Sequence, residues 1–160
     1  MVNQSDLVAV SELVMPLVGK QAWNVRLGIG NSLTMNFGKQ LEPNEFGQLF
    51  GEWYLWLEGC EWRIDQQDQI LIAGEDSREQ LRVAVQELEG RTLLAVSLYS
   101  PAIDAIFEFE GHLSLRLFAV NTTELESWNL FTPEHKVLVI GPGAHWSYTR
   151  RSEEHTSELQ

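Results

Sequence analysis

Residues 17–27 read LVGKQAWNVRL and residues 88–98 read LEGRTLLAVSL, so the second stretch repeats the first at an offset of 71 positions. Gly19 matches Gly90, Lys20 is exchanged for Arg91, and three apolar positions agree as well. Internal similarity at a constant spacing is typical of a chain built from two copies of one structural unit. We therefore expect this repeat to decide the fold.

An amphipathic helix is predicted before each repeat. Four apolar residues at helical spacing in one copy fall on four in the other, namely Val10, Leu13, Val14 and Leu17 on Leu81, Ala84, Val85 and Leu88. This spacing places one apolar stripe on a helix. Ser5 is expected to cap the first helix, and Asp76 with Glu79 to begin the second as a capping box. Gly19 and Gly90 are the expected stop signals.

Strands are predicted after each helix, now at an offset of 72. Apolar residues alternate with polar ones in both copies, and Leu33, Met35, Phe37 and Leu41 correspond to Ala105, Phe107, Phe109 and Leu113. Since partners across a hairpin share a face, a three-residue loop 110–112 pairs Phe109 with Leu113 and Phe107 with Leu115. By analogy, loop 38–40 is expected to place Phe37 opposite Leu41.

Later segments match at an offset of 75, where 52–56 (EWYLW) falls on 127–131 (SWNLF) and Trp62 and Ile64 fall on Val137 and Val139. Residues 70–73 correspond to a short strand around 146–148, and the largest insertion is expected near Pro43. Each copy, about 5–73 and 76–148, is thus one helix and roughly five strands. We predict one α+β domain over residues 1–150, with antiparallel sheets and the copies packed about a pseudo-twofold axis.

Composition excludes several classes of protein. The chain has 160 residues, 44% of them apolar, and a net charge of −12, to which the last ten residues (one Arg, three Glu) contribute −2. Such a charge should repel nucleic acid and anionic membranes and attract a basic partner. Cys60 is the only cysteine, so neither an intrachain disulfide nor a cysteine-based zinc site is expected. Asp6 and Glu12 interrupt the apolar N-terminus, and a cytoplasmic location is expected.

The last ten residues, RSEEHTSELQ at 151–160, lie outside both copies. We expect a disordered tail that adds nothing to the core. Translated back with one choice of codons, the segment resembles the start of a sequencing adapter, which implies an artefactual addition.

The body of the chain, through LEGRTLLAVSLYSPAIDAIFEFEGHLSLRLF and ESWNLFTPEHKVLVIGPGAHWSY, resembles a family of small bacterial cytoplasmic proteins. The pattern of Leu88, Gly90, Trp128 and the run 141–143 carries this resemblance. It implies no enzyme activity and no catalytic residues. Several such families resemble immunity proteins of bacterial toxin systems, and this likeness is an analogy.

Candidate metal and phosphate sites are weak. Glu108, Glu110 and His112 alternate and offer carboxylate and imidazole ligands, but the predicted hairpin puts Glu110 and His112 in a turn. The glycine-rich runs 28–30 and 141–143 do not lie between a strand and a helix start, so they are predicted to be turns. No catalytic, cofactor or metal residue is predicted.

Trp53, Tyr54, Trp56 and Trp62 form an aromatic cluster. Trp53 and Leu55 alternate with Tyr54 and Trp56, so both faces of this strand are apolar. One face should serve the core, while the other either packs under a helix or forms a binding surface. We predict a non-enzymatic interaction module of the immunity or inhibitor type, monomer or homodimer, that neutralises a basic partner through Trp56, Tyr54, Glu108 and Glu110. The alternative is a small-molecule or sugar-binding module that uses the tryptophans, and a metal-dependent enzyme ranks third.

Overall fold

The computed structural model describes residues 2–151, which form two short helices and eleven strands. The helices are α1 (Gln4–Val14) and α2 (Arg78–Ala84). The strands of the first half are β1 (Trp23–Leu27), β2 (Leu33–Gln40), β3 (Gly51–Leu57), β4 (Cys60–Gln66) and β5 (Gln69–Ala73). Those of the second half are β6 (Leu93–Tyr99), β7 (Asp104–Phe109), β8 (Leu113–Ala119), β9 (Trp128–Phe131), β10 (Lys136–Ile140) and β11 (Trp146–Arg150).

The strands form two antiparallel sheets, and each half of the chain contributes to both. The first sheet has the order β1-β2-β3-β9-β10-β11, and the second has the order β5-β4-β8-β7-β6. After β1–β3 in the first sheet, the chain therefore passes to the second sheet, where it forms β4–β8. It then returns to the first sheet, where it forms β9–β11. The prediction of an α+β protein with antiparallel sheets is confirmed at this level, although strands predominate over helices.

The core lies between the inner faces of the two sheets. Along β7, Phe107 and Phe109 are buried while Glu108 is exposed, as period-two alternation requires. The ring of Phe107 in the second sheet meets that of Trp128 in the first edge-on, with centroids 5.9 Å apart. Residues of both sheets and both helices belong to one buried apolar cluster, so the protein has a single core.

The predicted helical stripes are confirmed, but the capping residues were predicted wrongly. Val10, Val14, Leu17, Leu81, Val85 and Leu88 are all at most 1% exposed. Helix α1 is capped by Asn3, which forms a capping box with Asp6, and not by Ser5. Helix α2 is capped by Ser77, whose hydroxyl accepts from the N–H of Gln80. Asp76 instead accepts from the N–H of Ala73 at 2.9 Å, so its carboxylate closes the preceding turn.

The two repeats meet each other where they begin. Gln21 and Thr92 form an isolated antiparallel bridge. Four main-chain hydrogen bonds surround this bridge in two reciprocal pairs. In the first pair, the N–H of Gly19 donates to the carbonyl of Leu93 (2.8 Å) and the N–H of Gly90 donates to the carbonyl of Ala22 (2.7 Å). In the second pair, the N–H of Ala22 donates to the carbonyl of Arg91 (3.0 Å) and the N–H of Leu93 donates to the carbonyl of Lys20 (2.9 Å). Each residue of one repeat thus makes the bond that its counterpart, 71 positions away, makes in the other.

The predicted register of the β7–β8 hairpin is confirmed. Phe109 lies opposite Leu113 and Phe107 opposite Leu115 across the three-residue turn 110–112. Gly111 and His112 take positive φ values of 84° and 62° in this turn. The odd loop length keeps the apolar side chains of both strands on the core face.

The corresponding prediction for the first half is wrong. Strand β2 continues through Gln40, Phe37 pairs with Trp53 of β3, and residues 41–50 form a loop. The N–H of Leu41 donates to the carbonyl of Phe50 at 2.8 Å and closes this loop. A strand starting at Leu41 would bring Pro43, which lacks an N–H, into the ladder. Trp53 also offers Phe37 a larger apolar partner than Leu41 does.

The tail predicted at residues 151–160 is described only at its first residue. The disorder expected for residues 152–160 lies outside the described residues. Arg151 is hydrogen-bonded, since its N–H donates to the carbonyl of His135 at 2.9 Å. Neither α1 nor α2 has the length and apolar character that crossing a membrane requires.

Candidate functional site

A groove of about 770 Å³ lies on the outer face of the first sheet. Its floor is formed by outward-facing residues of β1, β2 and β3. The turn at 28–30 borders it at one end, and residues 47–50 of the long loop border it at the other. The groove therefore exists because the connection between β2 and β3 is ten residues long and rises above the sheet.

One cross-strand row of side chains runs along the floor of this groove and beyond it. Arg26 on β1 pairs with Thr34 on β2, Thr34 with Trp56 on β3, and Trp56 with Asn129 on β9. Neighbouring strands lie about 4.8 Å apart, so the backbones at Arg26 and Trp56 are separated by roughly 10 Å. A cation and an aromatic ring thus flank the small Thr34 side chain on one surface.

A second row gives the groove its aromatic wall. The ring of Tyr54 contacts Phe50 edge-on with centroids 4.9 Å apart, and Phe131 lies 6.0 Å away on its other side. Burial raises the pKa of Tyr54, while a hydrogen bond with Thr34 and the charge of Arg26 act in the opposite direction. The phenol of Tyr54 consequently stays neutral near pH 7 and can both donate and accept a hydrogen bond.

Arg26 brings a positive charge to the groove. Its Nε donates to Oδ1 of Asn24 at 2.7 Å, and within residues 2–151 it forms no ion pair. Asn24 is itself held in place, because the carboxylate of Glu89 accepts from the N–H groups of Asn24 and Val25, each at 2.9 Å. The guanidinium of Arg26 is therefore anchored at one nitrogen, which leaves its terminal nitrogens as donors.

Two buried asparagines on the outer face of this sheet differ in their hydrogen bonding. Asn36 lines the groove and is 1% exposed, and its Oδ1 accepts from the N–H of Gly51 at 2.8 Å. Asn129, beside Trp56, is also 1% exposed, yet neither of its side-chain polar atoms has a hydrogen-bond partner among residues 2–151. An unpartnered buried amide is destabilising by roughly 1 to 3 kcal/mol, which singles out Asn129 within the sheet.

The aromatic cluster predicted from the sequence divides between two faces. Trp62 is 5% exposed and Trp53 packs against the core, with the ammonium of Lys20 lying 4.7 Å from its ring centroid. Tyr54 and Trp56 point the other way and line the groove. Of the two alternatives for the second face, packing under a helix is wrong, because the residues that line the groove with Tyr54 and Trp56 come from strands, turns and the long loop. A binding surface stays a prediction.

The four residues predicted to contact a partner do not form one surface. Tyr54 and Trp56 lie on the outer face of the first sheet, whereas Glu108 lies on the outer face of the second. Glu110 is in the β7–β8 turn, where its Oε1 accepts from the N–H of Thr92 at 3.0 Å. The aromatic and acidic residues therefore face away from each other across the core.

Within residues 2–151 there is no group of three or more His, Cys, Asp or Glu side chains placed to hold a metal ion. Cys60 is half-buried, and burial raises the pKa of its thiol to about 12. Its thiol is therefore protonated at neutral pH and is a poor nucleophile. The arrangement in the groove is suited to binding by stacking and hydrogen bonding.

Several groove residues were not found by sequence reasoning. Arg26, Asn36 and Phe50 come from separate stretches of the chain, and they are brought together by the pairing of β1, β2 and β3 and by the closure of the long loop. The sequence could have indicated that Asn36 faces away from the core, since it is a polar residue between the apolar Met35 and Phe37 of one strand.

No family model, no curated protein and no solved structure matches this chain. The resemblance to a family of small bacterial proteins therefore stays a prediction.

Proposed function

We propose that the protein is a binding module that holds a small ring-bearing ligand, such as a sugar, in the groove on its first sheet. The observation that carries this proposal is a concavity of about 770 Å³ with Tyr54 and Trp56 in its lining. Ligand sites commonly have volumes of roughly 300 to 1,000 Å³, aromatic walls and a few polar groups. Binding without catalysis fits the composition of this site.

The chemistry of the lining supports a ring as the ligand. Trp56 and Tyr54 are partly exposed and offer large, rigid apolar surfaces on which a ring can stack. Asn24, Thr34 and Gln48 supply neutral donors and acceptors around them. A pyranose has apolar C–H faces and a rim of hydroxyl groups. Its C–H faces can stack on the aromatic rings, and its hydroxyl groups can hydrogen-bond to the neutral polar side chains.

We also propose that the fold is a duplication with a pseudo-twofold axis near the Gln21–Thr92 bridge. Exchanging β1–β5 with β6–β10 converts the order β1-β2-β3-β9-β10 into β6-β7-β8-β4-β5, which is the strand order of the second sheet. In this scheme β3 corresponds to β8 and β4 to β9, one strand earlier than the sequence match suggested. The reciprocal hydrogen bonds around the bridge support the same relationship.

The duplication strengthens the case for the groove as a functional feature. The row equivalent to Arg26, Thr34 and Trp56 in the second sheet consists of Ser97, Ile106 and Arg116. That row has no aromatic residue, and its hairpin turn has three residues instead of ten. The long loop and the aromatic wall are therefore a specialisation of the first half.

Binding can be tested with a panel of neutral and acidic monosaccharides and small aromatic compounds, followed by NMR of the tryptophan indole N–H groups. Saturable shifts of the Trp56 signal, lost in Trp56→Ala and retained in Trp146→Phe, are expected. Trp146 is a suitable control because it is partly exposed on β11, outside the groove. Saturable binding that leaves the groove signals unmoved would contradict the proposal, as would no binding at millimolar concentration.

A second candidate function is neutralisation of a basic protein, which the net charge of −12 favours. Trp, Tyr and Arg, all present in the groove, are also the residue types most common among energetic hot spots of protein interfaces. Basic proteins encoded beside the gene should then associate rapidly at low salt and more slowly as ionic strength rises. Trp56→Ala would speed dissociation and Glu108→Lys would slow association. Salt-independent or absent binding would reject this candidate.

A further inference from the structure

We infer that the ligand of the groove carries a carboxylate and that Arg26 binds it. This inference rests on the proposed function and narrows it to one class of ligand, a six-membered ring bearing a carboxylate. Such a ring can be a uronic acid or an aromatic acid.

Arg26 combines a place in the lining of the groove with the absence of an ion pair in the described chain. Arg63 and Arg116 both pair with Asp65, at 2.9 and 2.8 Å, and Arg91 pairs with Glu87 at 3.5 Å. Arg26 lines a cavity, and its guanidinium donates a hydrogen bond to the neutral side chain of Asn24. A cation at a cavity wall that forms no ion pair in the described chain is complementary to an anionic ligand.

Arg26 is also positioned in advance of binding. The carboxylate of Glu89 fixes the backbone of Asn24, and Oδ1 of Asn24 accepts the Nε–H of Arg26 at 2.7 Å. The terminal nitrogens Nη1 and Nη2 remain available, and together they match the two oxygens of a carboxylate. A guanidinium that is already oriented loses less conformational entropy when it binds an anion.

The distance between Arg26 and Trp56 suits one ring with one acidic substituent. Their backbones are roughly 10 Å apart, with the short Thr34 side chain between them. A ring stacked on Trp56 can extend a substituent over Thr34 toward β1, where the Arg26 side chain reaches back. A neutral ring would make no ion pair with Arg26.

Most of the negative charge of the protein lies outside the groove lining. Charges separated by more than about 8 Å are largely screened at physiological ionic strength. Within the lining, Glu58 follows β3, whereas Arg26 lies on β1, with β2 between the two strands. We therefore place the carboxylate of the ligand at the β1 side of the groove.

The experiment compares two matched pairs of probes, D-glucuronate with D-glucose and 4-hydroxybenzoate with phenol, by NMR titration of the full chain. The acid of at least one pair should bind at least tenfold more tightly than its neutral partner, because a charge-assisted hydrogen bond supplies about that factor. Which pair shows the preference distinguishes a sugar acid from an aromatic acid. Raising the salt concentration should weaken binding of the acid and leave the neutral probe unchanged.

Arg26→Gln should abolish the preference for the acid, while the matched control Arg82→Gln should retain it. Arg82 is exposed on α2, outside the groove lining, and its replacement makes the same change in net charge. Equal binding of acid and neutral probes in the groove would overturn the carboxylate inference and leave the proposed function standing. Acid binding that shifts Arg63 and Arg116 instead of Trp56 would also overturn it. Absence of any groove binding would overturn the proposed function itself.

Discussion

Trp62 on β4 and Trp128 on β9 make the same hydrogen bond in different sheets. The indole of Trp62 donates to the carbonyl of Asn31 at 3.1 Å, and that of Trp128 donates to the carbonyl of Ile103 at 3.0 Å. Both acceptors have positive φ, 61° and 58°, and they lie 72 positions apart. That offset is also the one that relates β2 to β7, so the bond supports the proposed duplication.

Removing either indole donor should destabilise the protein. Trp128→Phe and Trp62→Phe each leave a carbonyl without its partner, and a loss of roughly 1 to 3 kcal/mol is expected in urea denaturation. The loss should be larger at Trp128, which is fully buried. Trp146→Phe is the control, because its indole donates to the carboxylate of Asp6, which water can also solvate. Equal losses in all three variants would assign the effect to ring size.

The two buried asparagines of the first sheet should respond oppositely to an apolar replacement. Asn129→Leu removes an unpartnered amide and should be neutral or raise the free energy of unfolding by about 1 kcal/mol. Asn36→Leu leaves the N–H of Gly51 unpaired and should lower it by roughly 1 to 3 kcal/mol. Thermal unfolding distinguishes the two variants. A marked loss of stability in Asn129→Leu would show that its amide is satisfied in solution.

Alanine substitutions at two neighbouring residues of β7 should differ in their effect on the free energy of unfolding. Phe109→Ala creates a cavity in the core and should lower the free energy of unfolding by roughly 3 to 5 kcal/mol. Glu108→Ala changes an exposed side chain and should have an effect of less than about 0.5 kcal/mol. Comparable losses in chemical denaturation would mean that the second sheet is covered on both faces.

Cys60 should react slowly with alkylating reagents. Folding raises the pKa of its thiol from an ordinary value of 9.0 to about 12, because burial disfavours the thiolate. Alkylation at pH 8.5 should therefore be at least about a hundredfold slower in the native protein than in urea. The stabilisation linked to this thiol is complete below pH 9 and is lost as the pH rises toward 12. Rapid native alkylation would show that Cys60 is accessible and ionised.

The parts of the fold that were predicted correctly depend on local pattern. The stripe that contains Val10 and Val14 recurs at Leu81 and Val85, and helical spacing alone identifies it. The hairpin between Phe109 and Leu113 followed from turn length and the requirement that both face the core. In each case a few residues close together in the chain contain all the information needed.

The parts that were missed depend on contacts between distant strands. Nothing near Phe37 indicates that its partner is Trp53, because the intervening loop has no fixed length or pattern. The groove has the same origin, since Arg26, Thr34 and Trp56 belong to three strands that only the finished sheet aligns. Sequence reasoning recognised Tyr54 and Trp56 as a possible surface but could not supply the polar residues around them.

The exchange of strands between the halves constrains how a growing chain can fold on the ribosome. When residues 1–75 have emerged, β3 has β2 on one side but awaits β9 on the other, and β4 awaits β8. Both waiting strands expose unpaired main-chain groups, which is the condition under which nascent chains aggregate. The second sheet needs only β6–β8, whereas the first needs β9–β11, so the second sheet should close first as the chain emerges and β3 should be the last of the waiting strands to find its partner.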